Sequence, residues 1–242
     1  MCVLRGLMRL HFLAQMQLAP NEELVAQIRR MTKRPTVLMS RGVDAEFLHP
    51  GKRRRADKAF VLGYVGRLRP EKNVRFLAEV ERRLAQAKIK NYRFVLVGEG
   101  AEEGWLRQNM RNVELTGVLR GEELARAFAD MDLFVFPSKT DAFGNVVLEA
   151  MAAGVPAVVM SDGGPKFLIE NGVNGYAAQS DDDFLSAIAG FASEPERLQA
   201  MRSAARLSAA ARDWEKVFEN LYENYKLAAA LEKNVRAQTA AQ

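Results

Sequence analysis

From Phe60 onward, short apolar runs alternate with stretches of helical periodicity. The runs Phe60–Gly66, Arg93–Gly98, Val113–Gly117, Leu133–Pro137 and Pro156–Met160 are each bounded by Gly, Pro or a polar cluster, as buried parallel strands are. Between them, Glu71–Lys88 carries Val74, Leu77, Ala78, Val80 and Leu84 at helical spacing, and Glu122–Met131 carries Leu124, Ala127 and Phe128. Asn145–Ala153 is apolar nearly all round, which predicts a buried helix. After Ala178 the pattern predicts helices over Asp181–Glu194, Pro195–Ala211 and Asp213–Glu232, with Asn234–Gln242 as a frayed tail. The alternation predicts an α/β fold: a Rossmann-like, doubly wound parallel sheet followed by C-terminal helices.

The first fifty residues follow another pattern. They predict a helix over Cys2–Gln17, a second over Asn21–Met31 and one strand over Pro35–Met39. The Pro, Gly and basic residues of His49–Arg55 suggest a linker. A fragment of this size cannot bury a core by itself. The domain reading is therefore 1–40 as a remnant of a preceding domain, 41–59 as an interdomain linker, 60–212 as the ligand-binding domain, and 213–242 as a crossing helix with its tail.

Composition narrows the class. Among 242 residues, 48% are hydrophobic, which suffices for a globular core, and one cysteine excludes an internal disulfide. No apolar run reaches the ~20 residues of a membrane-spanning helix, and Arg5, Arg9 and His11 interrupt the apolar start. The expected location is cytoplasmic. The net charge of +5 favours anionic partners, a nucleotide or the inner membrane face. His11 and His49 stand in no convincing catalytic setting.

The chemistry is expected at the carboxyl ends of the strands. Gly66 permits close backbone approach, and Arg67 offers a planar donor fork for phosphate oxygens. Lys72 is expected in the first turn of its helix, where a cation is disfavoured unless an anion is near. The second cluster runs from Ser138 through Asp141, Phe143, Gly144, Asn145 and Val146 to Glu149. Gly144 precedes a helix whose free N–H groups form an anion site. Glu149 falls on an otherwise apolar stretch, so it needs a partner: a core cation, or the two hydroxyls of a sugar diol. Gly98-Glu99-Gly100 with Gly104 imitates a dinucleotide fingerprint, but the spacing is wrong and three glutamates crowd it. A tight turn is the better reading, which disfavours an NAD-linked enzyme.

Taken together, these residues resemble the C-terminal domain of retaining glycosyltransferases of the GT-B architecture, family four. The resemblance runs from about Pro35 to Tyr225. It is carried by Gly42-Val43-Asp44, Val65-Gly66-Arg67-Leu68 with Glu71-Lys72-Asn73, and Val97-Gly98-Glu99-Gly100. It continues through Phe136-Pro137-Ser138, Phe143 to Met151, Gly154-Val155-Pro156 and Gly172-Val173-Asn174-Gly175, with Trp214 late in the chain.

The resemblance implies transfer of a hexosyl group from a UDP- or GDP-sugar, with retention and without a metal or other cofactor. It implies that Arg67 and Lys72 bind the diphosphate and stabilise the leaving group. Asp141 would face the donor sugar, Glu149 would hold the ribose hydroxyls, and the backbone of Phe143 to Val146 would cradle phosphate and sugar. The implied catalytic set is Arg67, Lys72 and Asp141. The family's paired carboxylates have seven positions between them; here the first is Asp141, shorter than the usual Glu. Arg41 stands where Asn is common, and Pro165, Lys166 and Phe167 follow Gly163-Gly164 where the family often has a Glu. The resemblance also implies an N-terminal acceptor domain of ~150–200 residues, of which only the last elements are expected in Met1–Met39. The expected partners are the nucleotide sugar, a lipid or saccharide acceptor, and an N-terminal-half subunit or a second copy of the chain. Peripheral contact with the membrane face is a further expectation, and nucleic acid is not among the partners. The alternative is a noncatalytic nucleotide-sugar-binding module.

Overall fold

The computed structural model describes residues 14–240, and for Pro195 and residues 232–240 the backbone alone. The chain divides into two compact units, one formed by 1–42 with 214–242 and the other by 43–213.

The larger unit holds a six-stranded, all-parallel sheet. Its strands are β3 (Phe60–Val65), β4 (Tyr92–Val97), β5 (Val113–Gly117), β6 (Leu133–Phe136), β7 (Ala157–Met160) and β8 (Gly175–Ala178), in the order β5-β4-β3-β6-β7-β8. This is the doubly wound arrangement that the alternation predicts. The order reverses between β3 and β6, and such a reversal opens a crevice at the carboxyl ends of those two strands. Every residue of β3, β6 and β7 is buried, because helices cover both sheet faces. Strand β8 was not anticipated; Gly175-Tyr-Ala-Ala lacks the branched residues that mark the other strands.

The connecting helices are α2 (Phe76–Gln86), α3 (Glu103–Asn109), α4 (Gly121–Asp130), α5 (Asn145–Ala152), α6 (Asp181–Ser193) and α7 (Pro195–Ala210). The expected helix from Glu71 is corrected. Pro70–Lys72 form one 3-10 turn, Asn73 adopts a left-handed φ of 54°, and α2 begins only at Phe76. The Asn73 amide donates to the Pro137 carbonyl at 3.3 Å, which ties this turn to the end of β6. Helix α6 is capped by Ser180, whose side chain accepts from the Asp183 N–H, and three aspartates fill its first turn.

Residues 43–59, expected as linker, pack into this unit. Val43 and Leu48 belong to the core, and Arg206 donates to the carbonyls of Ala45, Leu48 and Ala152. Arg53 and Arg55 both bind Asp132. The basic run is thus anchored by charge-assisted bonds that its composition alone does not reveal.

In the other unit, β1 (Gln17–Ala19) pairs in parallel with β2 (Thr36–Leu38), and α1 (Glu22–Thr32) connects them. Asn21 caps α1 by accepting from the Leu24 N–H, and Lys33 ends it in a left-handed conformation. Residues 14–17 are not helical, which corrects the end of the expected first helix; its apolar positions Leu4 to Leu13 lie outside the described residues. The last helix, α8, runs from Trp214 to Ala240, so the expected frayed tail is helical at least to Ala240. Its alanines and long-chain residues have high helix propensity. Among its apolar and aromatic residues, Val217 is buried, whereas Trp214, Phe218, Tyr222 and Tyr225 are exposed. No described helix is long and apolar enough to cross a membrane.

Candidate functional site

The crevice between β3 and β6 collects most of the residues singled out above. Strand β3 delivers Gly66 and Arg67 to its rim. The Arg67 side chain is 63% exposed, and its only ion pair among the described residues is a long 3.8 Å contact with Glu71. Its guanidinium is therefore available to an incoming anion. Beneath it, Tyr64 is fully buried and stacked on Phe136, and its hydroxyl donates to the Arg67 carbonyl at 3.1 Å. Burial, with the nearby Asp141 carboxylate second, pushes the Tyr64 phenol well above its ordinary value, so it remains a neutral donor.

Lys72 and Asp141 meet directly. The Lys72 ammonium lies 2.6 Å from Asp141 Oδ1, with both side chains about four-fifths buried. The expected reason for a cation at position 72, an anion bound near a helix start, is thereby corrected. Lys72 sits in a 3-10 turn, and its immediate counter-charge is a protein carboxylate. The pair leaves Asp141 Oδ2 buried with no hydrogen-bond partner, and the Ser138 hydroxyl is in the same condition. Two unpartnered buried polar groups three residues apart at one strand end, a carboxylate oxygen and a hydroxyl, are costly unless a ligand reaches them. The loops that carry the pair are stitched together: the Thr140 hydroxyl donates to the Glu71 carbonyl at 3.1 Å.

Helix α5 opens onto the same crevice. Its cap, Gly144, has φ 87°, and a Cβ there would stand 2.6 Å from the Pro165 ring. Only glycine satisfies both conditions. No side chain caps the helix, so the N–H groups of Asn145 and Val146 have no acceptor within it. With the positive end of the helix dipole, these N–H groups can donate to an anion. The Gly163-Gly164 turn presses on the loop before α5: the Gly164 N–H donates to the Asp141 carbonyl at 2.7 Å. Pro165, one of the departures noted in the sequence, is thus the residue that closes over Gly144.

Glu149 follows in the second turn of α5, among buried Val147, Leu148, Ala150 and Met151. Among the described residues it has no ion-pair partner, so the core-cation alternative is not realised. Burial raises its pKa. A half-buried carboxylate without a cation is an acceptor held open for donors from a ligand.

The weak glycine fingerprint is a packing turn. The Leu68 N–H donates to the Glu99 carbonyl, the Glu102 N–H donates to the Leu68 carbonyl, and a Cβ on Gly100 would meet the Leu68 carbonyl oxygen at 2.2 Å. The loop at 98–102 is occupied in supporting the Arg67 loop and has no room for a pyrophosphate. Sequence reasoning assigned no role to Tyr64, Asn73 and Thr140, whose placement comes from contacts with residues far along the chain, nor to Ser138, whose buried hydroxyl has no partner among the described residues. No group of three or more His, Cys, Asp or Glu side chains among the described residues is placed to hold a metal.

Comparison with known proteins agrees with this geometry. Residues 59–194 match the family described as Glycosyl transferases group 1. The chain is 33% identical over 235 residues to the GDP-mannose-dependent alpha-mannosyltransferase of Corynebacterium glutamicum, covering 93% of this chain and 55% of that protein. It is also 33% identical to the enzyme of the same name from Mycobacterium tuberculosis, covering 90% of this chain and 58% of that protein. The chain thus spans a little over half the length of these relatives. Among solved structures, Anabaena Alr3699/HepE in complex with UDP and glucose superposes with a TM-score of 0.73 at 19% identity, over 90% of this chain and 66% of that one. The fold is that of the GT-B glycosyltransferases, and the chain belongs to the Glycosyl transferases group 1 family.

Proposed function

We propose that this chain is the donor-binding half of a retaining hexosyltransferase whose donor is a nucleoside-diphosphate sugar. The observation that carries the reading is the convergence of Arg67, Lys72, the α5 amides and the unpartnered Glu149 carboxylate at one topological switch point. In this reading the diphosphate lies against Arg67, the Lys72 ammonium and the N–H groups of Phe143 to Val146. Glu149 accepts from the two ribose hydroxyls, and Asp141 Oδ2 accepts from a hydroxyl of the sugar. When the bond between the anomeric carbon and the phosphate oxygen breaks, the electron pair leaves with the diphosphate. The acceptor hydroxyl oxygen then bonds to the anomeric carbon on the same face of the sugar, and its proton passes to the departing diphosphate oxygen. Fixed cations and backbone dipoles stabilise the charge that develops on the leaving group, the task a metal ion performs elsewhere. The reaction therefore proceeds without a metal.

The names of the two relatives favour GDP-mannose as the donor. In this reading residues 1–40 and 213–242 belong with an acceptor-binding domain of the kind that completes a GT-B enzyme. These 242 residues supply the donor-binding half of such an enzyme. The acceptor is a lipid or a saccharide at the cytoplasmic membrane face. The second reading, a noncatalytic nucleotide-sugar module, rests on the same intact site.

Thermal shift in EDTA separates the donor classes. GDP-mannose at about 100 times its Kd is expected to stabilise the chain by about 2.7 kcal/mol. NADH is expected to have no effect; stabilisation by NADH alone, or only with magnesium, contradicts the proposal. Turnover of GDP-mannose on addition of a separately expressed acceptor domain distinguishes a transferase half from a binding module.

A further inference from the structure

A second cavity lies at the opposite end of the same sheet. Its volume is about 680 Å³, within the range of small-molecule sites. It is bounded by Phe60 at the start of β3, Asn91 just before β4 and Asp132 just before β6, all at amino ends of strands, and by Leu198, Gln199 and Arg202 of α7. None of these residues takes part in the crevice described above.

Its charge is unbalanced. Arg53, Arg55, Lys58 and Arg202 line it against Asp57 and Asp132, four cations to two carboxylates. Asp132 is shared by three arginines: Arg53 at 2.7 Å, Arg55 in direct contact, and Arg202 at 3.8 Å. Asp57 is shared between Arg55 and Arg93, which dilutes it further. The Arg55 side chain is 8% exposed and its Nε is buried with no hydrogen-bond partner. Burial, and then the neighbouring Arg53, pull the Arg202 guanidinium below its ordinary value, the direction expected where like charges are crowded. Lys58 stands exposed on the rim with no ion pair among the described residues. Arg53 and Arg202 also donate to the carbonyls of Ala129 and Met131, but these acceptors are neutral and leave the charge unbalanced. The excess of two positive charges matches a dianion, and guanidinium forks suit the oxygens of a phosphate. The apolar part of the lining, Phe60, Ile89 and Leu198, suits the body of an organic molecule.

We propose that this cavity is a second ligand site that takes a small organic phosphate, its phosphoryl group among Arg53, Lys58 and Arg202 and its apolar body against Phe60, Ile89 and Leu198. The site is independent of donor binding, so each can fail without the other.

Phenyl phosphate titrated into the isotopically labelled full chain tests this, because amide chemical shifts locate the binding. Saturable shifts are expected at residues 58–60, 91, 132 and 198–202. Lys58→Ala, an exposed change that leaves the core intact, is expected to weaken binding about fivefold, as one lost charge contact. Arg202→Gln is expected to abolish it. Inorganic phosphate is expected to bind more weakly than phenyl phosphate, and phenol not to bind. Shifts confined to residues 66–67 and 143–146 would overturn the proposal. So would an affinity unchanged by Lys58→Ala, or equal affinity for phenol or for inorganic phosphate.

Discussion

Glu149 places a carboxyl group on a helix whose neighbouring positions are apolar, and no cation among the described residues pairs with it. That arrangement has a thermodynamic signature. Burial raises its folded pKa above the value of about 4.5 for a free side chain, so the folded protein holds this proton to higher pH than the unfolded chain does. Stability then falls as pH rises through the window that opens near 4.5 and closes at the higher folded pKa. Glu149→Gln is expected to raise the melting temperature of the ligand-free protein at neutral pH, and the gain should vanish below pH ~4.5, where both side chains are neutral. The same substitution is expected to weaken nucleotide binding. Calorimetric melts across pH, with and without GDP, check both signs. Arg67, Gly144 and Glu149 could be picked out in the sequence because each is anomalous in its local pattern. Tyr64 and Ser138 could not: a Tyr within a strand and a Ser after Pro137 are ordinary, and only the packed crevice makes one a buried donor and leaves the other unpartnered.

At the scale of elements, the crevice depends on two backbone devices, the Asn73 turn before α2 and the Gly144 cap of α5. Gly144→Ala meets both a positive φ and the Pro165 ring, and is expected to cost about 1–3 kcal/mol. Adding Pro165→Ala relieves the clash but not the φ, so the double variant should recover part of the loss. Denaturant unfolding of the two variants measures this. The strands of the sheet centre were legible because their apolar runs are continuous and bounded by Gly and Pro. The start of α2 was misplaced because Glu71 and Lys72 suit a helix, whereas the Asn73 bond to the Pro137 carbonyl, 64 residues away in the chain, sets the turn. Strand β8 escaped notice because Gly175 and two alanines carry no strand propensity. Its place on the sheet comes from pairing with β7.

At the scale of the whole molecule, α8 presents Trp214, Phe218, Tyr222 and Tyr225 to solvent, with Trp214 and Phe218 stacked at 5.5 Å. Exposed aromatic patches of this kind mark contacts with other protein. The chain is expected to self-associate in the absence of an acceptor domain. Phe218→Glu with Tyr222→Glu is expected to shift it toward the monomer without changing donor affinity, and light scattering over a concentration series reads the mass. A wild-type chain that stays monomeric throughout would contradict a contact role for this aromatic face.

Isothermal titration calorimetry of GDP into the wild-type chain and Lys72→Ala, in EDTA, tests the central claim most directly. Lys72 is the cation that the crevice holds in place through Asp141, and its loss also strands that carboxylate. The wild type is expected to bind one GDP per chain without metal, and Lys72→Ala to lose about 2–4 kcal/mol of binding free energy. Equal affinity in the two proteins, or binding that appears only with magnesium, would contradict a metal-free diphosphate site in this crevice.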